Sequence, residues 1–200
     1  MKTLKLNSIP LAAALVVPAL FFSLPVPAAA QGRGPGNGPA LTTGVAQAAT
    51  TDEAKWLGFM REEEKLARDV YQQLGEKWNL NVFRNIALSE DRHYRSVGTL
   101  LSRYGISDPA ANNPAGVYSD AKLTALFNEL MAKGTQSAKD ALEVGVLIEE
   151  TDIADLETAL QGTGKPDIKR VYTNLLNGSY HHLEAFQTSL EILCLNPAAN

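Results

Sequence analysis

Residues 81–104 read Asn81-Val-Phe-Arg-Asn-Ile-Ala-Leu-Ser-Glu-Asp-Arg-His-Tyr-Arg-Ser-Val-Gly-Thr-Leu-Leu-Ser-Arg-Tyr104, and Gly105 follows. Phe83, Ile86, Val97 and Leu100 fall on alternating steps of three and four residues, the spacing that lines one face of an α-helix. Glu90 and His93 complete that face at its middle. A helix buries such a face against its neighbours, so the stretch predicts a carboxylate and an imidazole side by side in a core. Gly105 supplies the stop.

The same spacing recurs in three other segments. From about Thr51 to Leu74 it picks out Leu57, Met60, Glu64, Ala67, Tyr71 and Leu74. Thr50 and Glu53 stand at capping-box spacing before this helix, and Gly75 is its expected stop. From about Ser137 to Gln161 the spacing picks out Leu142, Val146, Glu149, Ile153, Leu156 and Leu160, with Gly162 at the end. From about Pro166, a residue suited to a first turn, to about Leu195 it picks out Leu175, Ser179, His182, Phe186, Leu190 and Leu193. Gly178 lies inside that last helix at a cost of about 1 kcal/mol relative to alanine. Pro109, Pro114 and Gly116 make residues 105–119 a loop, and a short helix from about Ser119 to Lys133, closed by Gly134, follows. No stretch alternates with a period of two, so the fold class is all-α. Short links join the first long helix to the second and the third to the fourth, and about thirty residues join the second to the third. Two antiparallel hairpins with one long crossover, here carrying the short extra helix, form the connectivity of a ferritin-like four-helix bundle.

The flanks bound where such a bundle works. Residues 1–30 read as a secretory signal: Lys2 and Lys5, a mostly apolar run from Ile9 to Val26, then Ala28-Ala29-Ala30 as a cleavage site. An uncleaved anchor is the alternative reading of the same residues. Residues 31–50 are small, polar and rich in Gly and Pro, a flexible linker. Residues 51–200 then form one domain, expected to be secreted or periplasmic. Losing Lys2 and Lys5 takes Lys plus Arg from 18 to 16 against 22 Asp plus Glu, a net charge of −6. That balance argues against a nucleic-acid partner, which requires a basic patch. After the signal no stretch is apolar enough to span a membrane. Cys194 is the only cysteine, so no disulfide framework or Cys-based zinc site can form within one chain.

Each of the four buried faces thus carries a ligand-type residue at mid-height: Glu64, then Glu90 with His93, then Glu149, then His182. Unpartnered buried carboxylates are costly, and several at one level raise one another's pKa. No Lys or Arg lies on these faces to neutralise them. A multivalent cation would, and Glu with neutral imidazole suits iron or manganese. The bland readings are a solvated run at Glu62-Glu63-Glu64 and a hydrogen-bonded core histidine. Glu63 and Glu150 are the register-shifted alternatives to Glu64 and Glu149, which alone complete the alternating spacing. Tyr71 reads as core packing or as a hydrogen-bond donor or radical partner beside the site.

Glu64-Lys-Leu-Ala-Arg-Asp-Val-Tyr71, Ser89-Glu-Asp-Arg-His93, Ile148-Glu-Glu-Thr-Asp-Ile-Ala-Asp-Leu156 and Gly178-Ser-Tyr-His-His-Leu183 resemble the DUF2202 family of the ferritin-like superfamily in order and separation, over most of residues 55–193. The chain is more distantly similar to rubrerythrins and bacterioferritins, whose bundles hold a carboxylate-bridged di-iron centre. The resemblance implies metal ligands at Glu64, Glu90, His93, Glu149 and His182. It also implies a departure: the superfamily pattern has Glu three residues before the last histidine, where this chain has Ser179. Asp152, one turn after Glu149, is the expected replacement, as rubrerythrins similarly carry two carboxylates on that helix. His181 faces about 100° away from His182 and reads as a surface residue or a neighbour of the site.

Three functions follow as expectations. The first is an exported di-iron oxidoreductase acting on dioxygen, peroxide or ferrous iron, with manganese as the alternative metal. The second is a metal-binding module without turnover. The third is a scaffold with a vestigial site. Nothing marks a storage cage, and a homodimer is compatible with the sequence.

Overall fold

The computed structural model describes residues 48–195; the signal, residues 31–47 of the linker and the last five residues lie outside them. The described residues form five helices and no strand: α1 (Thr51–Trp78), α2 (Asn81–Tyr104), α3 (Ala121–Gly134), α4 (Ala138–Gln161) and α5 (Pro166–Leu195). The fold is all-α, a bundle of four long helices with the short α3 in the crossover. None of these helices is long and apolar enough to cross a membrane.

Local chemistry explains the ends. The Thr50 hydroxyl accepts from Glu53 N at 3.1 Å while Thr50 N donates to the Glu53 carboxylate at 2.9 Å, a complete capping box. Gly105 takes the left-handed conformation at φ 64° and ends α2. Two expected boundaries move. Gly75 does not stop α1, which runs another turn to a left-handed cap at Asn79, φ 54°. Gly75 instead lets α2 come close, since a Cβ there would lie 3.0 Å from the Phe83 Cβ. The short helix starts at Ala121 with Asp120 as its cap, because the Ser119 amide is taken by Glu62.

Residue pairs fix the helix directions. Arg68 meets Asp91 and Gly75 meets Phe83, so α1 and α2 are antiparallel. Gly145 meets Phe186 and Asp152 meets Ser179, so α4 and α5 are antiparallel. Tyr71 reaches Glu149, while the Tyr71 ring also packs on Phe83 and Phe186. Arg103 on α2 pairs with Asp167 on α5, and His182 with Glu90, so that pair is antiparallel too. The order is therefore up, down, down, up. Because α2 and α4 run the same way, the chain between them must travel the length of the bundle, which is why the crossover is long.

That crossover lies against α1. Arg61, Glu62, Glu63, Glu64, Lys65 and Asp69 are all buried, so the Glu62–Glu64 run is not a solvated face. Arg61 Nη2 reaches Asp108 at 2.8 Å, and Glu62 accepts from the amides of Ser119 and Asp120. Lys65 Nζ donates to Pro114 O at 2.8 Å and pairs with Asp69 at 2.6 Å. Asp69 also accepts from Gly116 N at 3.2 Å and Tyr118 Oη at 3.1 Å. The polar side of α1 thus satisfies loop backbone that would otherwise be buried without partners.

The apolar core falls into two clusters. One gathers Tyr71, Leu74, Phe83, Leu142 and Phe186, and the other Leu57, Met60, Val97, Leu100, Leu156 and Tyr172. Between them along α1 and α2 lie Glu64, Glu90 and His93, a polar layer at mid-height.

Candidate metal centre

The polar layer resolves into two triads. Glu64, Glu90 and His93 bring one ligand atom each to within 4.8 Å of one another, and so do Glu90, Glu149 and His182. Glu90 is common to both, and its two oxygens are divided between them. Oε2 lies 2.9 Å from His93 Nδ1, and Oε1 lies 2.7 Å from His182 Nδ1. His93 Nδ1 is also 3.4 Å from Glu64, and His182 Nδ1 is 3.6 Å from Glu149. The two imidazoles stack, centroids 5.5 Å apart. All of these groups are buried except His93, which keeps partial exposure.

These approaches are short but are not aligned as hydrogen bonds. Both Nδ1 atoms, Glu64 Oε1 and Glu90 Oε1 are buried without an aligned hydrogen-bond partner. A buried polar atom left so is costly. Nitrogen and oxygen atoms that converge this closely without hydrogen-bond alignment have the arrangement of ligand atoms around a cation. The residues present therefore fit a metal ion. Their chemistry, carboxylate oxygen with imidazole nitrogen and no thiolate, suits iron or manganese.

Burial works against every charge here. It lifts Glu64 well above the usual carboxylate range, helped by Asp152, and lifts Glu149 to about 8, helped by the Glu90 charge. Burial also opposes ionisation of Glu90, but His182 and His93 outweigh it and hold that carboxyl at about 2. Burial lowers the imidazoles, yet Glu64 and Glu90 raise His93 to about 11, while Glu149 and Glu90 raise His182 to about 9. Without a metal, then, the histidines are the counter-charges. A metal must displace their protons to bind.

The surroundings hold the ligands. Tyr71 Oη donates to Glu149 Oε1 at 2.7 Å, so the tyrosine both packs in the core and orients a carboxylate. Gly178 has its reason here: a Cβ would sit 2.7 Å from His93 Nε2. Gly178→Ala adds a better helix former, yet it must push this imidazole aside. We expect metal affinity to fall roughly 10- to 100-fold, the usual scale for disturbing what orients a ligand, read by calorimetric titration of the metal-free variant.

Asp152 belongs to neither triad. It accepts a 2.6 Å hydrogen bond from Ser179 Oγ, and Ser179 also bonds Leu175 O. Burial, with the charges of Glu90 and Asp155, raises Asp152 to about 7 against the lowering effect of Ser179. His181 and Glu150 are exposed. Two further acids stand beside this layer: Glu63, named from the sequence only as the register-shifted alternative to Glu64, and Asp155, which the sequence reading did not single out. Glu63 is buried facing Asp155 of α4 within hydrogen-bonding reach, and its pKa is raised by burial and by Asp155 and Asp152. The available signal was the run Glu149, Asp152, Asp155, three acids at steps of three along one helix.

The chain is 49% identical over 140 residues to the uncharacterized protein MJ0754 of Methanocaldococcus jannaschii, covering 70% of this chain and 76% of that protein. The crystal structure of MJ0754, at 48% identity, superposes with a TM-score of 0.71 over 72% of this chain and 83% of the other. A DUF305 fragment from Deinococcus radiodurans, 17% identical, has a TM-score of 0.54 over 73% of this chain and 99% of the fragment, which bears on the fold alone. The model of the family described as "Uncharacterized protein domain (DUF2202)" matches residues 53–195, all five helices bar the first two residues of α1, and the chain belongs to that family.

Proposed function

We propose that this domain binds a pair of divalent metal ions, iron first and manganese second, and acts as an exported oxidoreductase on dioxygen, peroxide or ferrous iron. The observation that carries the reading is Glu90 placed between two imidazoles, one to each oxygen, with neither Nδ1 aligned for a hydrogen bond. Glu64 and His93 would hold one ion and Glu149 and His182 the other, with Glu90 shared. Iron so held supplies one-electron redox chemistry. The chain's own residues set the charge: three carboxylates neutralise most of the two ions, and Tyr71 fixes Glu149. The partial exposure of His93 offers the side from which a small oxidant reaches the layer. The up, down, down, up order supports placing the domain in the ferritin-like superfamily, and residues 1–30 support export.

A second reading, a metal carrier without turnover, is favoured by one observation. Ser179 supplies no carboxylate and spends its hydroxyl on Asp152.

Chelator-stripped protein tests the shared premise. Returning ferrous or manganous salt is expected to raise the melting temperature. A ligand present at 1,000 times its dissociation constant adds about 4 kcal/mol, which for a domain of this size is a shift of roughly 10 °C. Unchanged melting would refute metal binding. Peroxide-dependent spectral change in the iron-loaded form then separates oxidoreductase from carrier.

A further inference from the structure

Glu63 and Asp155 lie outside both triads, and neither the capping, the crossover contacts nor the metal ligation uses them. Glu63 is 9% exposed, yet its Oε2 has no hydrogen-bond partner, and neither does Asp155 Oδ2. The groups Glu63 faces are acidic: Asp155 within hydrogen-bonding reach, then Asp152 and Glu64. The buried cations of the same helix are committed elsewhere, Arg61 to Asp108 and Lys65 to Asp69. Asp155 and Asp152 are partly exposed while Glu63 and Glu64 are buried, so the group runs from solvent inward. Asp155, Asp152 and Glu149 follow one another at three-residue steps along α4, and Asp152 also interacts with Glu90 and His93. The row begins at the surface and ends at the triads, and the histidines supply counter-charge only at its inner end; buried carboxylates at the outer end cost stability wherever they serve no cation.

We propose that Glu63 and Asp155 form the cation entrance of the metal centre, taking a hydrated divalent ion from solvent and passing it by way of Asp152 to Glu64. This rests on the metal-binding reading above and adds the route. Carboxylate oxygens replace the ion's water ligands in steps, so the ion is never stripped bare in the apolar interior. The pair is too few in ligands to retain the ion; the triads, which add imidazole, hold it.

An entrance changes how fast an ion arrives and leaves, not how many are bound. The test mixes the metal-free full-length chain with Co(II) in a stopped-flow spectrometer and follows the visible absorption of the bound ion. Glu63→Gln and Asp155→Asn are each expected to slow both loading and chelator-driven release by on the order of tenfold, the lower end of what charge focusing contributes to association rates. Stoichiometry and equilibrium affinity stay those of the parent. Glu150→Gln, an exposed acid on the same helix, loads at the parental rate. Asp155→Asn at the partly exposed mouth carries the test should Glu63→Gln fail to fold. Parental loading rates in both variants would overturn the proposal, as would the loss of a bound ion, which would make Glu63 a ligand. A parent chain that takes up no Co(II) would instead sink the metal-binding reading, and the entrance with it.

Discussion

Glu90→Gln is expected to lose both metal ions at once. Glutamine keeps the shape of the side chain but replaces a carboxylate oxygen by an amide, and Glu90 is the residue common to the two triads. Glu64→Gln and Glu149→Gln each touch one triad, so each should lose one ion and keep the other. Metal content of anaerobically purified protein reads this directly, as two ions for the parent, near zero for Glu90→Gln and about one for each of the others, consistent with paired-metal sites. The stability gain on adding metal, about 4 kcal/mol at a thousandfold excess over the dissociation constant, should vanish in Glu90→Gln. Melting of the metal-free proteins is the control, because the substitution also takes the anion from between His93 and His182. Retention of one full equivalent by Glu90→Gln would mean that the carboxylate is not shared.

Asp69→Ala is expected to be the most damaging single change away from the centre. Asp69 and Lys65 are each 1% exposed and lie 2.6 Å apart. Asp69 also accepts from Arg68 at 3.0 Å, from Gly116 N and from Tyr118. Removing it leaves a buried ammonium with no anion, only Pro114 O and the face of the Tyr118 ring, and breaking a buried pair in this way costs about 3–5 kcal/mol. The double variant Lys65→Met, Asp69→Leu removes both charges and should recover much of the loss, since a well-packed apolar pair often replaces a buried ion pair at little cost. Urea unfolding of the metal-free proteins measures both. Metal stoichiometry should stay unchanged, because these residues serve the crossover and not the triads. A cost below about 1 kcal/mol for Asp69→Ala, the scale of an exposed ion pair, would show that the crossover does not cover this face in solution.

Sequence pattern and tertiary environment diverge most at α1. Its apolar positions, Leu57, Met60, Ala67, Tyr71 and Leu74, follow the helical spacing and are buried as that spacing implies. Glu64 lies on the same face and goes to the polar layer. The opposite side, with Arg61, Glu62, Lys65 and Asp69, looks like an ordinary solvated face. A charged side chain at helical spacing reads the same whether it meets water or loop amides. Only the path of residues 105–120 tells the two apart, and that path is set by contacts far away in sequence. Gly178 makes the same point on a smaller scale. Within its helix it is only a poor helix former, and its use appears once His93 of another helix is seen against it.

The sequence by itself determined four long helices, the apolar face each turns inward, and the presence of a Glu or His at the middle of each of those faces. These are local properties, since periodicity and caps depend on neighbours within a few turns. The tertiary structure alone decided that Glu90 divides its two oxygens between the histidines, that Asp152 turns to Ser179, and that Glu63 faces Asp155. Those outcomes depend on the rotation of each helix about its axis and its height against the others. That registry is fixed by packing across the bundle, where Gly145 admits Phe186 and Gly75 admits Phe83, and no single helix encodes it.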